Sequence, residues 1–220
     1  MTVPTLTKIA PKLLSCRVLP NADARLCKAL GLPARLQRQS LALLTCDQDD
    51  SLYAALDHAT KMAEVSVIYA KSFYAGSAHA SGPLSGEIMG VMAAADPDIL
   101  EQGIRALKLA LSDLFAFYAV GSSGVNLFPT VIGSVGEYLA AQAGVRPGAP
   151  LGYFIAPPIE AMLGTDAALK AANVELLKLF GPPTETNFGG AYVTGTLDAV
   201  QAAAAAFTDA IIDVIARPHA

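Results

Sequence analysis

The residues with the most chemistry to offer are carboxylates. Asp47, Asp49 and Asp50 lie in the run Asp47-Gln-Asp-Asp50, and Glu87 ends a Gly- and Ser-rich stretch. Grouped carboxylates can bind a protonated amine through charge-assisted hydrogen bonds. An aromatic face beside them, for which Phe117 is the candidate, would add a cation–π contact of ~0.5–2 kcal/mol. The same aspartates suit a helix start, where Asp caps free N–H groups and opposes the dipole. Both readings stand for Asp49 and Asp50. Taken singly, Glu87 reads as a solvated strand end and Phe117 as core. A Ca²⁺ or Mg²⁺ loop would carry a distal Glu at set spacing, and this run has none. Thr184-Glu-Thr-Asn187 offers hydroxyl and carboxylate contacts to a small polar solute, or serves as turn chemistry alone. His58, His79 and His219 show no metal-ligand spacing, and no metal or cofactor is expected. No Ser-His-Asp order, phosphate-cradling Gly-Lys motif or Cys-His pair stands out. Acid–base work by Asp49 with Glu87 remains an open alternative.

Two loops must position these groups. Tyr69–Glu87 joins the strand-like runs Val65–Ala70 and Ile88–Ala93. A tight hairpin needs only about two to five loop residues, so this connection does more than reverse the chain. Its shorter twin, Phe180–Gly190, lies between Val174–Leu179 and Ala191–Thr194. Elsewhere, Lys12–Leu19 and Ser40–Cys46 read as strands, and Asn21 as the cap of a helix that stops at Gly31 and Pro33. A helix with Leu52, Leu56, Ala59 and Ala63 on one face follows the aspartates. Asp96-Pro97-Asp98 starts another helix, with Asp at the cap and Pro at the first helical position. Phe115–Val120 reads as a strand, Gly121–Phe128 as a loop and Thr130–Ala143 as a helix ended by Gly144. Leu151–Ala156 is a strand, Pro158 starts a helix and Thr196 caps the last one.

The order of elements recurs, and so do residues. Asp57-His-Ala-Thr-Lys-Met-Ala-Glu-Val65 aligns with Asp166-Ala-Ala-Leu-Lys-Ala-Ala-Asn-Val174, and Gly86 aligns with Gly190. Two homologous domains are therefore expected, residues 1–113 and 114–220, each α+β with a mostly antiparallel sheet.

Composition narrows the class. Of 220 residues 53% are hydrophobic and only 15% charged, which suits tight packing and large subunit interfaces. A net charge of −4 gives no reason to expect nucleic acid or an anionic membrane as partner. Cys16, Cys27 and Cys46 have no metal spacing and read as reduced thiols. The N-terminus lacks the apolar core of a signal peptide. The uncharged run between Asp113 and Glu137 is too rich in Gly and Pro for a membrane span.

The motifs Asp47-x-Asp49-Asp50, Ala59-Thr-Lys61, Ser72-x-Tyr-Ala-Gly76, Ala78-His79 and Gly86-Glu87 carry a resemblance. So do Ala156-Pro-Pro-x-Glu-Ala161, Asp166-Ala-Ala-Leu-Lys170 and Pro182-Pro-x-Glu-Thr-Asn187. With them the chain resembles the tandem-domain shell proteins of bacterial microcompartments, most closely the L-type shell proteins of ethanolamine-utilisation compartments. The resemblance implies two circularly permuted, ferredoxin-like microcompartment domains and a pseudo-hexameric homotrimer. Such trimers tile with other shell proteins into a shell in the cytoplasm. It implies no catalysis. It implies a small pore within the subunit that takes a small polar metabolite such as ethanolamine, lined by Asp49, Glu87, Phe117 and Thr186. It implies a larger central pore, opened or closed by two loops. Lys71, Ser72, Phe73, Tyr74, Ala75, Gly76, Ser77, Ala78 and His79 belong to one, and Pro182, Pro183, Thr184 and Glu185 to the other. Lys71 replaces an Arg and Phe188 a Tyr common in the family, and no Trp lies near Phe117. Compartments for alcohol or propanediol use share parts of the motifs. Outside the family, the alternatives are a soluble amine-binding sensor and a carboxylate-based enzyme.

Overall fold

The computed structural model describes residues 5–32, 39–73, 81–182, 184 and 186–219. The chain divides into two units. The first comprises Ala10–Phe115 together with Gly136–Leu139. The second takes the N-terminal strand, Ala116–Val135 and the chain from Ala140 onward.

The first unit holds a four-stranded antiparallel sheet in the order β2-β3-β5-β4. Its strands are β2 (Leu13–Leu19), β3 (Ser40–Cys46), β4 (Ser66–Ser72) and β5 (Ile88–Ala94). Its helices are α1 (Ala24–Ala29), α2 (Asp49–Met62) and α3 (Pro97–Asp113). β3 and β5 are apolar almost throughout, as strands buried on both faces must be. Asp96 caps α3 by accepting from the Asp98 amide, with Pro97 in the first turn, as expected from sequence.

The second unit repeats this order as β7-β8-β10-β9, with β7 (Asn126–Ile132), β8 (Leu151–Ala156), β9 (Glu175–Phe180) and β10 (Gly189–Thr194). Its sheet is extended by β6 (Phe117–Val120) and then β1 (Leu6–Ile9), giving six antiparallel strands. Helix α4 is Glu137–Ala143, α5 Pro158–Ala171 and α6 Leu197–Ala216. Thr196 caps α6 through the Ala199 amide. By length and composition α6 could cross a membrane. Here Val200, Ala203, Phe207 and Ile211 bury one of its faces, with Phe207 stacked on Phe154 of β8.

Several sequence expectations change. Thr130–Ile132 is strand, not helix, and Asn126–Phe128 is strand, not loop. Pro129 suits β7 because β6 pairs only as far as Leu127, so the side of Pro129 lacking an N–H meets no ladder. The helix begins only at Glu137, beyond the Gly133–Gly136 break. Asp23, not Asn21, caps α1, and Asn21 sits at φ 50°, a left-handed conformation Asn tolerates. Lys71 and Ser72 belong to β4, paired with Met89 and Ile88, so the long connection starts at Phe73. The strand at Leu6–Ile9 was not expected at all, because four residues with two polar positions carry little periodic signal.

Candidate functional site

Three chain ends meet at one edge of the first unit's sheet. Cys46 at the end of β3 and Ser72 at the end of β4 both pair with Ile88 at the start of β5. This register gathers the aspartate run, Ser72–Phe73 and Glu87. The Glu87 amide donates to the Cys46 carbonyl at 2.8 Å, and the Glu87 carbonyl accepts from the Phe73 amide at 3.0 Å. Both ends of the long connection are thereby tied to the sheet. Gly86 permits the approach at φ 64°, since a Cβ there would lie 2.0 Å from the Cys46 carbonyl oxygen.

The aspartates divide their roles. Asp47 accepts from the Lys12 amide at 2.7 Å and pins the start of β2. Gln48, not an aspartate, is the N-cap of α2, and it makes no side-chain cap bond. Asp49 and Asp50 are the first helical residues, both buried. Asp49 Oδ1 accepts from the Asp50 amide at 2.9 Å, and the Ser72 hydroxyl reaches the same carboxylate. Ser72 also meets Tyr53, whose Oη accepts its amide and lies 2.9 Å from its Oγ. Tyr53 was not singled out from sequence, because its partner Ser72 is distant in the chain, and Ser72 was expected in the central-pore loop, not beside Asp49.

Burial pushes the Asp49 carboxyl up, against the opposing pull of the Ser72 hydroxyl and the Asp50 amide. Glu87 is raised to about 7, first by burial and then by the negative charges of Asp49 and Asp47. The charges that shift Glu87 are carboxylates, the reverse of an ion pair. This corner resists its own ionisation, and an incoming cation would relieve that.

A stability prediction follows. Glu87 ordinarily titrates near 4.5, so from there to about pH 7 the folded chain holds a proton that the unfolded chain has lost. Its contribution to stability is present below pH 4.5 and is lost as pH rises through that window. Glu87→Gln should therefore gain on the wild type between pH 4 and pH 8 in urea unfolding. A difference that does not change with pH would refute the shift.

In the second unit Phe117 is buried, 5.2 Å from Phe128 and 5.7 Å from Phe188 between ring centroids. Thr186 lies in a turn closed by Thr184 N to Phe188 O at 3.0 Å and Asn187 N to Thr184 O at 3.1 Å. Thr184 and Thr186 place their hydroxyls 3.4 Å apart. Pro182 packs against Gly189. Asp49 and Glu87 thus come together in the first unit, while Phe117 and Thr186 belong to the second. Tyr74, Ala75, Gly76, Ser77, Ala78, His79, Pro183 and Glu185 lie outside the described residues. Among the described residues no group of three His, Cys, Asp or Glu could hold a metal ion.

No protein-family model matches the chain. Curated relatives do. It is 41% identical over 211 residues to the bacterial microcompartment shell protein EutL of Clostridium perfringens, covering 96% of each chain. It is 37% identical over 217 residues to EutL of Salmonella typhimurium, covering 98% of each. The chain belongs to the EutL family of bacterial microcompartment shell proteins. Solved structures agree. EutL from Clostridium perfringens superposes with a TM-score of 0.93 at 40% identity, covering 99% of this chain and 98% of that one. EutL from Leptotrichia buccalis gives 0.92 at 40%, covering 98% and 99%. The trimeric shell protein PduB shares the fold, with a TM-score of 0.75 at 20% identity, over 93% of this chain and 89% of that one. The repeated strand order is thus that of two tandem microcompartment domains. Membership of this family makes the chain a structural component of a microcompartment shell in the cytoplasm, not an enzyme.

Proposed function

We propose that the chain forms a homotrimeric tile of an ethanolamine-utilisation shell, and that Asp49 and Glu87 line a small passage for a protonated amine such as ethanolamine. The observation that carries the site is the crowding of Asp47, Asp49 and Glu87 at one sheet edge, where burial first, and then the charges of Asp49 and Asp47, hold Glu87 up near neutrality. A cation bound there relieves the repulsion and takes charge-assisted hydrogen bonds. The pathway reading is supported by a relative described as an ethanolamine utilization protein at 40% identity, against 20% for PduB. Phe117 and Thr186 enter the proposal through the family resemblance alone.

Calorimetry with ethanolamine tests it. Hydrogen bonds to charged groups contribute ~1.5–3 kcal/mol, so Asp49→Ala should weaken binding by about ten- to a hundredfold. Binding to ionised Glu87 releases its proton, so wild-type affinity should rise from pH 6 to pH 8. Equal affinity in Asp49→Ala removes that residue from the site, and equal affinity in Thr186→Ala removes Thr186.

The same reading gives the long connection and its twin to a central passage that opens and closes. The support is their unequal length in a repeated fold. Lys71, Ser72 and Phe73 lead into one, and Pro182 and Thr184 into the other. The segment between, from Tyr74 through Ala75, Gly76, Ser77, Ala78 and His79, and Pro183 with Glu185, would form the rim. Cross-linking the long loop in alternative states should change solute permeation through assembled sheets. Unchanged permeation removes the gate. Lateral contacts with other shell proteins would complete the barrier, and passage would depend on opening size and lining charge.

A further inference from the structure

Asp49 is a buried carboxylate with no cation beside it. It is 6% exposed, and none of the ion pairs among the described residues includes it. Such a group keeps its charge only where hydrogen bonds replace water. The Asp50 amide is one donor, from the same helix start. The Ser72 hydroxyl is another, from the end of β4. Ser72 is in turn held by Tyr53. Its amide donates to Tyr53 Oη at 2.9 Å, and its Oγ donates to the same oxygen at 2.9 Å. Tyr53 lies four residues beyond Asp49 in α2, one turn along the same face. Its ring stacks on Tyr138 at 6.3 Å between centroids, with 15° between planes. Tyr138 sits between Gly136 and Leu139, whose amides are bonded to Asp57. The phenol oxygen is therefore fixed by its ring and by two bonds from one residue.

The Ser72 hydroxyl has one proton and two acceptors. Two arrangements satisfy all three groups. With Asp49 protonated, its O–H donates to Ser72 Oγ and Ser72 donates to Tyr53 Oη, the direction the structure gives. With Asp49 ionised, Tyr53 donates to Ser72 Oγ and Ser72 donates to the carboxylate. Only a neutral phenol can supply the second arrangement. Burial pushes the Tyr53 phenol up, against the pull of its two Ser72 bonds, and the charges of Asp49 and Asp50 add to the rise. Tyr53 thus keeps its proton when Asp49 loses its own. The remaining groups facing Asp49 are acids. Asp50 contributes its amide and a side-chain bond, and Glu87, at the start of β5, repels.

We propose that Tyr53 and Ser72 are positioning residues of the amine site: together they hold the Asp49 carboxylate as an acceptor for an ammonium group, through a hydroxyl chain that reverses when Asp49 gives up its proton. This rests on the reading of Asp49 and Glu87 as an amine-binding pair. Neither residue need touch the amine. Ser72 sets the carboxylate through its hydroxyl, and Tyr53 orients Ser72 and polarises the chain. Linked hydrogen bonds strengthen one another in a buried setting, so the phenol acts on Asp49 through an intervening residue. An incoming cation favours the charged form of Asp49, so binding and reversal favour each other.

The carbon-13 carboxyl resonance of Asp49, assigned through Asp49→Asn, reports its ionisation without any ligand. Its midpoint should rise by about half to one pH unit in Ser72→Ala, which loses the donor, and by about half as much in Tyr53→Phe. Ser72→Thr keeps a hydroxyl and should restore the wild-type midpoint. Calorimetry with ethanolamine should follow the same order. Ser72→Ala should lose about threefold to tenfold in affinity at pH 6, where the proton competes for Asp49, and less at pH 8. Unchanged midpoints in both Ser72→Ala and Tyr53→Phe, or an affinity loss equal at both pH values, overturn the positioning role and leave the amine site standing. A wild type that binds no ethanolamine while the midpoints move as expected overturns the amine reading, and with it the site these residues serve, but not the hydroxyl chain.

Discussion

Asp57→Ala should lower stability by ~2–4 kcal/mol, because it leaves two buried amides, those of Gly136 and Leu139, without an acceptor. Asp57 is fully buried in the middle of α2, where an unsatisfied carboxylate would be costly. It survives there as the cap of a helix that starts far along the chain. Gly136 belongs to the same device, since a Cβ on it would lie 2.4 Å from Thr60 Oγ1 and 2.5 Å from the Asp57 carbonyl oxygen. Burial pushes the Asp57 carboxyl up, while the two amides pull it down. Asp57→Asn keeps one acceptor oxygen and turns an NH₂ toward the second amide, so its cost should fall between zero and that of Ala. Urea unfolding with an unchanged m-value measures both. If Asp57→Ala unfolds at the wild-type midpoint, the clamp contributes nothing.

Gly86→Ala should cost on the order of 3 kcal/mol or more and detach the site from its sheet. Two penalties combine at this position. The residue sits at φ 64°, and the added Cβ would meet the Cys46 carbonyl oxygen at 2.0 Å. That same oxygen accepts the Glu87 amide, so relieving the clash pushes Glu87 away from Asp49. Gly124→Ala separates the terms. Gly124 has φ 79° and open space around it, so alanine there should cost only the left-handed backbone penalty of ~1–2 kcal/mol. The difference between the two variants isolates the contact. Gly86→Ala should also abolish the pH-dependent part of amine binding. If stability and binding both match the wild type, the close approach of Gly86 to β3 is not what places Glu87.

Gly86 and Gly190 make the same point about the repeat. Each sits where a long connection re-enters the sheet, and each lies against a carbonyl of the neighbouring strand, Cys46 or Phe154. The two glycines match in the internal repeat because no side chain fits at either place. The repeated helices carry different chemistry on this common frame. Asp49 begins α2 where Pro158 begins α5, and Ser72 ends β4 where Gly181 follows β9. Among the described residues the acidic corner therefore occurs once.

What the amino-acid sequence determined by itself was local and periodic. Capping residues such as Asp96 and Thr196, the buried strands β3 and β8, and the tandem repeat all follow from near-neighbour chemistry and spacing. The position of the aspartate run at a helix start was legible for the same reason. Tertiary structure showed how those acids come to lie near one another. Asp47 is held by a backbone amide of Lys12, while Asp49 and Glu87 share an edge set by strand register. It also decided that Asn126–Ile132 is a strand despite Pro129, because the missing N–H falls where no partner strand reaches. And it gave Asp57 its role, since a carboxylate that caps a distant helix leaves no mark on its own neighbours in sequence.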